Sequence, residues 1–311
     1  MISRRDWMRQ AAAGAAVVTA ATSRAAAPQS PADGFVDAHV HVWTPDLVAY
    51  PLTAGFTRAD MQPPSFTADE LLATCRPLGV SRVVLIQMSF YGFDNRYMLD
   101  SMERHPGTFG GVAIVDHASP GVVGRMRELA KRGVRGFRLY TSREKAAAWE
   151  QDAGMKAMWT CGADDGLAMC LLADPDALPI VERMCAAFPK TPVVIDHFAR
   201  IGMRGEIDRG DLDRLVALAK FPQVHVKTSA FYALGKKAPP YDDLGGMIRT
   251  LRDAYGANRL MWATDCPYQA GEGHGYAPSL ALVRDRLDFL SADERRALLR
   301  DTATRLFFPK A

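Results

Sequence analysis

Short runs of β-branched and apolar residues alternate along this chain with longer stretches whose apolar positions recur every three or four residues. The first pattern predicts strands and the second amphipathic helices. Eight runs read as strands: 35–42, 82–89, 109–115, 134–140, 167–173, 192–197, 223–229 and 259–265. Helical periodicity fills 68–76, 94–104, 119–131, 154–165, 175–188, 211–219 and 243–255. Turn residues such as Gly79, Pro106-Gly107, Gly133, Gly166, Pro189, Pro222 and Gly256 punctuate the units. The final segment SADERRALLRDTATRLFF begins with a serine and an acidic turn, so it reads as a closing helix. Eight strands, each followed by room for a crossover, predict an α/β fold of the (β/α)8 TIM-barrel type. The competing doubly wound sheet usually carries a Gly-rich phosphate turn after its first strand, and this chain has none there. Residues 44–66, rich in Pro and aromatics, break the spacing. They are expected to form a long loop over the barrel mouth.

The first 25 residues differ in kind. Arg4-Arg5 precedes an uncharged, small-residue run and a small-residue cleavage region, the order of a twin-arginine export signal. The run is too short and too weakly apolar to span a membrane. Cleavage after Ala25 would leave a single barrel domain, 26–311, in the periplasm or outside the cell. The 311-residue chain carries 38 Lys+Arg against 35 Asp+Glu; without residues 1–25 both counts become 34. The positive charge thus belongs to the signal, and no electrostatic case for a nucleic-acid partner remains. Five scattered cysteines (75, 161, 170, 185 and 266) form neither a CxxC nor an even framework, and read mostly as small buried residues.

Strand 35–42 carries imidazoles at His39 and His41. The period-two rule sets Asp37, His39 and His41 on one face and Val36, Ala38, Val40 and Val42 on the other. The polar face is expected to point into the barrel, where two imidazoles can converge on one metal ion. His197 ends the sixth strand, on the parity of Val193 and Ile195, and Asp265 ends the eighth. Residues at the C-terminal ends of barrel strands tend to carry chemistry, and strands one and eight are neighbours in a closed barrel. Three histidines and a carboxylate at three strand ends therefore predict one site. GxSxG, HExxH and Walker A patterns are absent, which argues against a serine hydrolase, a zincin and a P-loop enzyme. GEGHGY (271–276) departs from a dinucleotide fingerprint at Tyr276 and reads as a loop near the mouth, with His274 as an outlying acid or base.

The HxH strand, VIDHFARIG, FPQVHVKTSAFYALG and YGANRLMWATDCPY, with DNRYMLDSMERHPGTFGGVAIVD and GVRGFRLY, resemble the amidohydrolase-related proteins of amidohydrolase family 2. The resemblance runs from about residue 34 to the end, and it is strongest to the branch of sugar-lactone and 2-pyrone-4,6-dicarboxylate lactonases. It implies hydrolysis of a cyclic ester. Carried over motif by motif, His39, His41 and His197 are site histidines, with Asp265 as a further metal ligand and the base that activates water. Arg138 binds a carboxylate or the substrate carbonyl, and Lys227 matches a lysine of the branch. Gln87, Tyr91, Tyr50 and Trp43 are expected at the mouth, and Arg200 and Arg204 as grips for an anionic substrate. His225 shares Lys227's parity, sits deeper and reads as structural.

Two departures from the family pattern bear on chemistry. Cys266 stands where the family often has an aromatic, and Ala173-Asp174 stands where related decarboxylases place a histidine after strand five. The second weakens a decarboxylase or hydratase reading and gives a divalent metal, zinc first, fewer ligands. A metal-free route stays open, with His41, His197 and Arg138 stabilising the oxyanion. A non-catalytic exported binding protein is the rival of another class, although such a role has no use for the base. The substrate is expected to be small and anionic; oligomeric state is not legible.

Overall fold

A computed structural model describes residues 34–309, so the expected export signal lies outside the described residues. Eight parallel strands form one sheet in sequential order: β1 (Phe35–Val40), β2 (Val80–Ile86), β3 (Phe109–Ala113), β4 (Val134–Thr141), β5 (Ala168–Ala173), β6 (Val193–Ile195), β7 (Val224–Thr228) and β8 (Leu260–Trp262). Parallel neighbours require a crossover after every strand. The helices α1 (Ala68–Cys75), α2 (Arg96–Arg104), α3 (Val122–Lys131), α4 (Arg143–Ala146), α5 (Ala153–Asp165), α6 (Leu178–Ala187), α7 (Arg209–Ala217) and α8 (Gly245–Tyr255) supply it. After β8 come α9 (Tyr276–Ala281), α10 (Ala292–Arg296) and α11 (Thr302–Phe307). Side-chain caps start several of these: Thr67 and Glu70 form a reciprocal capping box at α1, and Ser291 and Glu294 do so at α10.

The ring closes where β8 returns to β1. His41 N–H donates to Cys266 O and Asp265 N–H donates to His39 O, both at 2.8 Å, around a bridge between Val40 and Cys266. Closure thus couples the backbone of the two histidines directly to that of Asp265. Inside the ring, Val36, Ala38, Val84, Ile86, Val112, Cys170, Val194 and Met261 make a small cluster, plugged from below by Ala303 and Phe307 of α11. Gly110 lets that plug seat, because a Cβ there would stand 3.0 Å from the Phe307 carbonyl oxygen. Alternate strand residues such as Val83, Leu85, Phe137, Met169, Leu171, Ile195 and Trp262 face the helices in the larger core.

Strand β1 corrects the period-two expectation. Its register against β2 shifts between Asp37 and Val40, a bulge that reverses the alternation. Before the bulge, Val36 and Ala38 face the barrel interior; after it, Val40 and Val42 face the helices. Asp37 therefore does not join the histidines. It is fully buried, accepting hydrogen bonds from Tyr276 Oη (2.6 Å), Thr264 Oγ1 (2.5 Å), Thr264 N (3.0 Å) and His39 N (3.1 Å). Burial pushes its carboxyl up to about 6, against the pull of those hydrogen bonds. The long loop is corrected too. Trp43 Nε1 donates to Pro63 O and Thr53 N to Phe90 O, which hold residues 44–66 against the turn after β2, and none of them lines the cavity described below. All five cysteines are free and buried.

Candidate active site

His39 and His41 leave the bulge pointing inward, and Asp265 meets them from β8. Asp265 Oδ1 lies 3.1 Å from His41 Nε2, 3.4 Å from His39 Nε2 and 3.7 Å from His197 Nε2. The two Nε2 atoms of His39 and His41 are 3.3 Å apart. His197 arrives by an unexpected route. Its parity matches Ile195, which faces the helices, but β6 stops there and residues 197–200 adopt left-handed backbone, with φ from 51 to 61°. Such conformations cost about 1–2 kcal/mol per non-glycine residue, and here they swing the imidazole inward. Asp265 is left-handed as well, at φ 69°. Backbone of this kind concentrates at functional sites.

The far nitrogen of each ring is also held. His41 Nδ1 donates to Ile86 O at 2.9 Å; a carbonyl only accepts, so in the neutral ring Nε2 presents its lone pair to the centre. His197 Nδ1 lies 2.8 Å from Ser229 Oγ. His39 Nδ1 faces a buried charge pair, 3.4 Å from Asp196 Oδ1 and 3.2 Å from Lys227 Nζ. Burial lowers the basicity of His39, and Lys227 lowers it further; burial also lowers His197. Burial alone would raise Asp265, but His197, His41 and His39 hold its carboxyl below the ordinary range, so it is ionised at neutral pH.

The donor set fits a divalent cation. Tetrahedral ligation with bonds of roughly 2.0–2.1 Å separates ligand atoms by about 3.3 Å, close to the 3.1–3.7 Å spacings around Asp265 Oδ1. Two overlapping groups bring their ligand atoms within 4.8 Å of one another, His39–His41–Asp265 and His39–Asp196–His197. Asp196 is fully buried, its charge met at Oδ1 by Lys227 Nζ at 2.9 Å.

Above this centre opens a cavity of about 470 Å³ lined by His41, His197, Asp265, Arg138, Tyr232 and Tyr268, among others. Arg138 projects from β4, its Nη1 3.5 Å from His41 Nε2 and its Nε without a partner, with the guanidinium 5.1 Å from the Tyr140 ring centroid. Among the described residues this cation, which faces the cavity, has no carboxylate partner of its own. Arg200 also reaches the cavity wall, paired to Asp174 at 2.7 Å. A larger groove of about 790 Å³ shares Arg200 and Met203 with the cavity, takes in Arg204 and holds none of the histidines.

Other expected residues lie elsewhere. Lys227 is not on the cavity wall: it is fully buried beneath His39, its Nζ 5.7 Å from the Phe307 ring centroid. Gln87 Nε2 donates to Asp94 O, tying down the turn after β2. Tyr91 Oη accepts from Thr44 N, and Tyr50 Oη donates to Asp100, so both serve loop packing outside the cavity lining. Trp43 is buried among aromatics, and His274 lies 3.3 Å from Tyr241 Oη, behind Tyr232 and outside the cavity lining. His225 sits at the barrel floor beside Arg259 and Arg305, consistent with a structural part. Three site residues escaped the sequence reading: Asp196, Ser229 and Tyr232, whose Oη donates to Asp265 Oδ2 at 2.7 Å. Only Asp196 had a usable signal, since it shares the inward parity of Val194.

An eight-stranded barrel whose strand ends gather three imidazoles, an ionised carboxylate and a free guanidinium defines a hydrolytic barrel enzyme. Comparison with known proteins names the family: the amidohydrolase model matches residues 36–308, and the chain belongs to it. A 4-sulfomuconolactone hydrolase of Hydrogenophaga intermedia is 29% identical over 284 residues, 88% of each chain. An L-fucono-1,5-lactonase of Burkholderia ambifaria is 28% identical, covering 84% of this chain and 90% of that one. Among solved structures, a candidate 2-pyrone-4,6-dicarboxylic acid hydrolase from Pseudomonas putida superimposes with a TM-score of 0.74. It shares 28% identity over 89% of this chain and 99% of its own.

Proposed function

We propose that this enzyme opens a lactone of a small anionic acid by attack of water on the ring carbonyl. The observation that carries the reading is the convergence of His39, His41 and His197 on Asp265 Oδ1 at the floor of a cavity that also presents Arg138. Relatives named for three different lactones support the reaction type; the names of the Hydrogenophaga and Burkholderia proteins give a sulfonated lactone and a sugar lactone respectively.

Asp265 is ionised, so it can take a proton from water held against it. Ile86 O fixes the ring of His41 and Ser229 that of His197, which sets their Nε2 atoms 3.1 and 3.7 Å from Asp265 Oδ1. Arg138 has free N–H donors where charge develops on the carbonyl oxygen or where a substrate anion lies. A divalent cation, zinc by the nature of the nitrogen-rich donor set, would be held by His39, His41, His197 and Asp265. When bound it lowers the pKa of water towards about 7 and polarises the carbonyl. No observation favours decarboxylation: Asp174, at the end of β5, is engaged with Arg200 and stands outside both candidate cation groups.

Among the described residues no helix is long and apolar enough to cross a membrane. With the twin-arginine pattern of residues 1–25, we place the working enzyme in the periplasm or outside the cell. Acid release from sugar lactones, muconolactones and pyrone dicarboxylates, followed in a pH-stat, tests the function. Turnover of at least one class is expected; carbon dioxide release from aromatic acids with no lactone opening would overturn it.

A further inference from the structure

Lactone opening moves two protons, one off the attacking water and one onto the ring oxygen as its bond to the carbonyl carbon breaks. The site treats the two oxygens of Asp265 differently. Oδ1 faces the three imidazoles, while Oδ2 accepts the Tyr232 hydroxyl at 2.7 Å. Tyr232 lines the same cavity as Arg138 and His197.

Its placement is well determined. Strand β7 ends at Thr228, Ser229 turns to His197, and Ala230 takes left-handed backbone at φ 57°. The short turn Phe231–Ala233 then carries Tyr232 over Asp265. Tyr232 N–H donates to Gln269 Oε1 at 3.2 Å, and Gln269 is itself buried, donating to Tyr241 Oη at 2.9 Å. The rings of Tyr268 and His274 flank it, with centroids 6.3 and 5.9 Å away. A phenol fixed this firmly and turned towards the reacting carboxylate does more than fill space.

Building on the lactone-opening reading, we propose that Tyr232 is the catalytic acid that protonates the leaving ring oxygen, in a relay with Asp265. Water oxygen bonds to the carbonyl carbon and its proton passes to Asp265. The carbon–ring-oxygen bond then breaks, and the ring oxygen takes the phenolic proton of Tyr232. The phenolate recovers the proton held by the Asp265 carboxyl, so the products are a carboxylic acid and a hydroxyl group, and no reactant beyond water is consumed. Once Asp265 is protonated it accepts less strongly from the phenol, which frees that hydrogen to turn to the ring oxygen.

The test is the dependence on leaving group. An aliphatic alkoxide needs a proton as it departs, whereas a phenolate, of about the same basicity as Tyr itself, departs without one. Tyr232→Phe is expected to lower kcat on D-glucono-δ-lactone by about 10²–10⁴-fold, and on dihydrocoumarin by less than about tenfold. Equal losses on both substrates would overturn the proposal and leave the lactonase reading intact. Absence of lactone turnover in the wild-type enzyme would instead overturn that reading and the proposal with it. A proton inventory in mixed H2O and D2O needs no variant. A bowed dependence with the aliphatic lactone, showing two protons in flight, is expected, and a straight line would contradict the relay.

Discussion

Lys227 is a lysine with no access to water, and its substitution offers a quantitative test of how the site is supported. Nζ lies 2.9 Å from Asp196 Oδ1 and 3.2 Å from His39 Nδ1, with Lys227 and Asp196 both fully buried. At an effective dielectric constant of about 20, a pair at that distance attracts by about 6 kcal/mol, much of it offset by the desolvation of both ions. Lys227→Met keeps an apolar stem of similar length and strands Asp196 as an unpaired buried anion. Breaking one half of such a pair costs about 3–5 kcal/mol, a large share of a typical total of about 5–15 kcal/mol. For a domain of this size that corresponds to a fall in Tm of about 5–8 °C. Lys227→Met/Asp196→Asn removes both charges and should recover most of the loss, giving a coupling of about 2 kcal/mol or more in a double-mutant cycle. Urea and thermal unfolding of the four proteins measure it. A Lys227→Met variant within about 2 °C of wild type, or a double variant showing the sum of the single losses, would refute the assignment of Lys227 as the essential counter-ion of Asp196.

Three other outcomes follow from the geometry. Ser229→Ala removes the partner of His197 Nδ1 and should lower kcat/KM by about 10–100-fold with Tm little changed; unchanged kinetics would show that Ser229 does not orient the ring. Arg138→Met should raise KM for a carboxylated lactone by about 10–100-fold, the worth of a charge-assisted hydrogen bond, while a neutral lactone changes far less; equal effects would place Arg138 on the carbonyl oxygen alone. Burial holds His225 down at about 4 against an ordinary 6.5, so the unfolded chain binds a proton first as pH falls. Stability from this group is full above about 6.5 and is lost as pH drops to 4, by roughly 3 kcal/mol. His225→Gln should therefore flatten the acid limb of the Tm–pH curve, and an unaltered limb would contradict that account.

Much of the barrel was legible because it rests on periodicity and turn chemistry. Each of the eight predicted strands overlaps an observed one, and the seven helical stretches fall on α1 to α3 and α5 to α8, leaving the single turn α4 unforeseen. The closing helix also starts at its expected serine. What the pattern misjudged were places where local backbone breaks period. The β1 bulge sends Asp37 outward while His39 and His41 turn in, and the left-handed run from His197 reverses a parity that would have buried the ring among helices. Tyr50, Gln87 and Tyr91 were misplaced because loop packing, which has no period, decides where they point. Ser229 and Tyr232 were invisible for the same reason: both come from the turn after β7, aimed by Ala230.

Asp265 is the group through which the proposed chemistry passes, and its substitution by asparagine is the most direct test. Asp265→Asn keeps the side-chain shape and an oxygen for Tyr232 or the imidazoles but removes the base. With a lactone that the wild-type enzyme opens, the variant is expected to lose at least about 10³-fold in kcat while melting cooperatively with an unchanged circular dichroism spectrum. A folded Asp265→Asn enzyme that opens the same lactone at near wild-type rate would contradict the account.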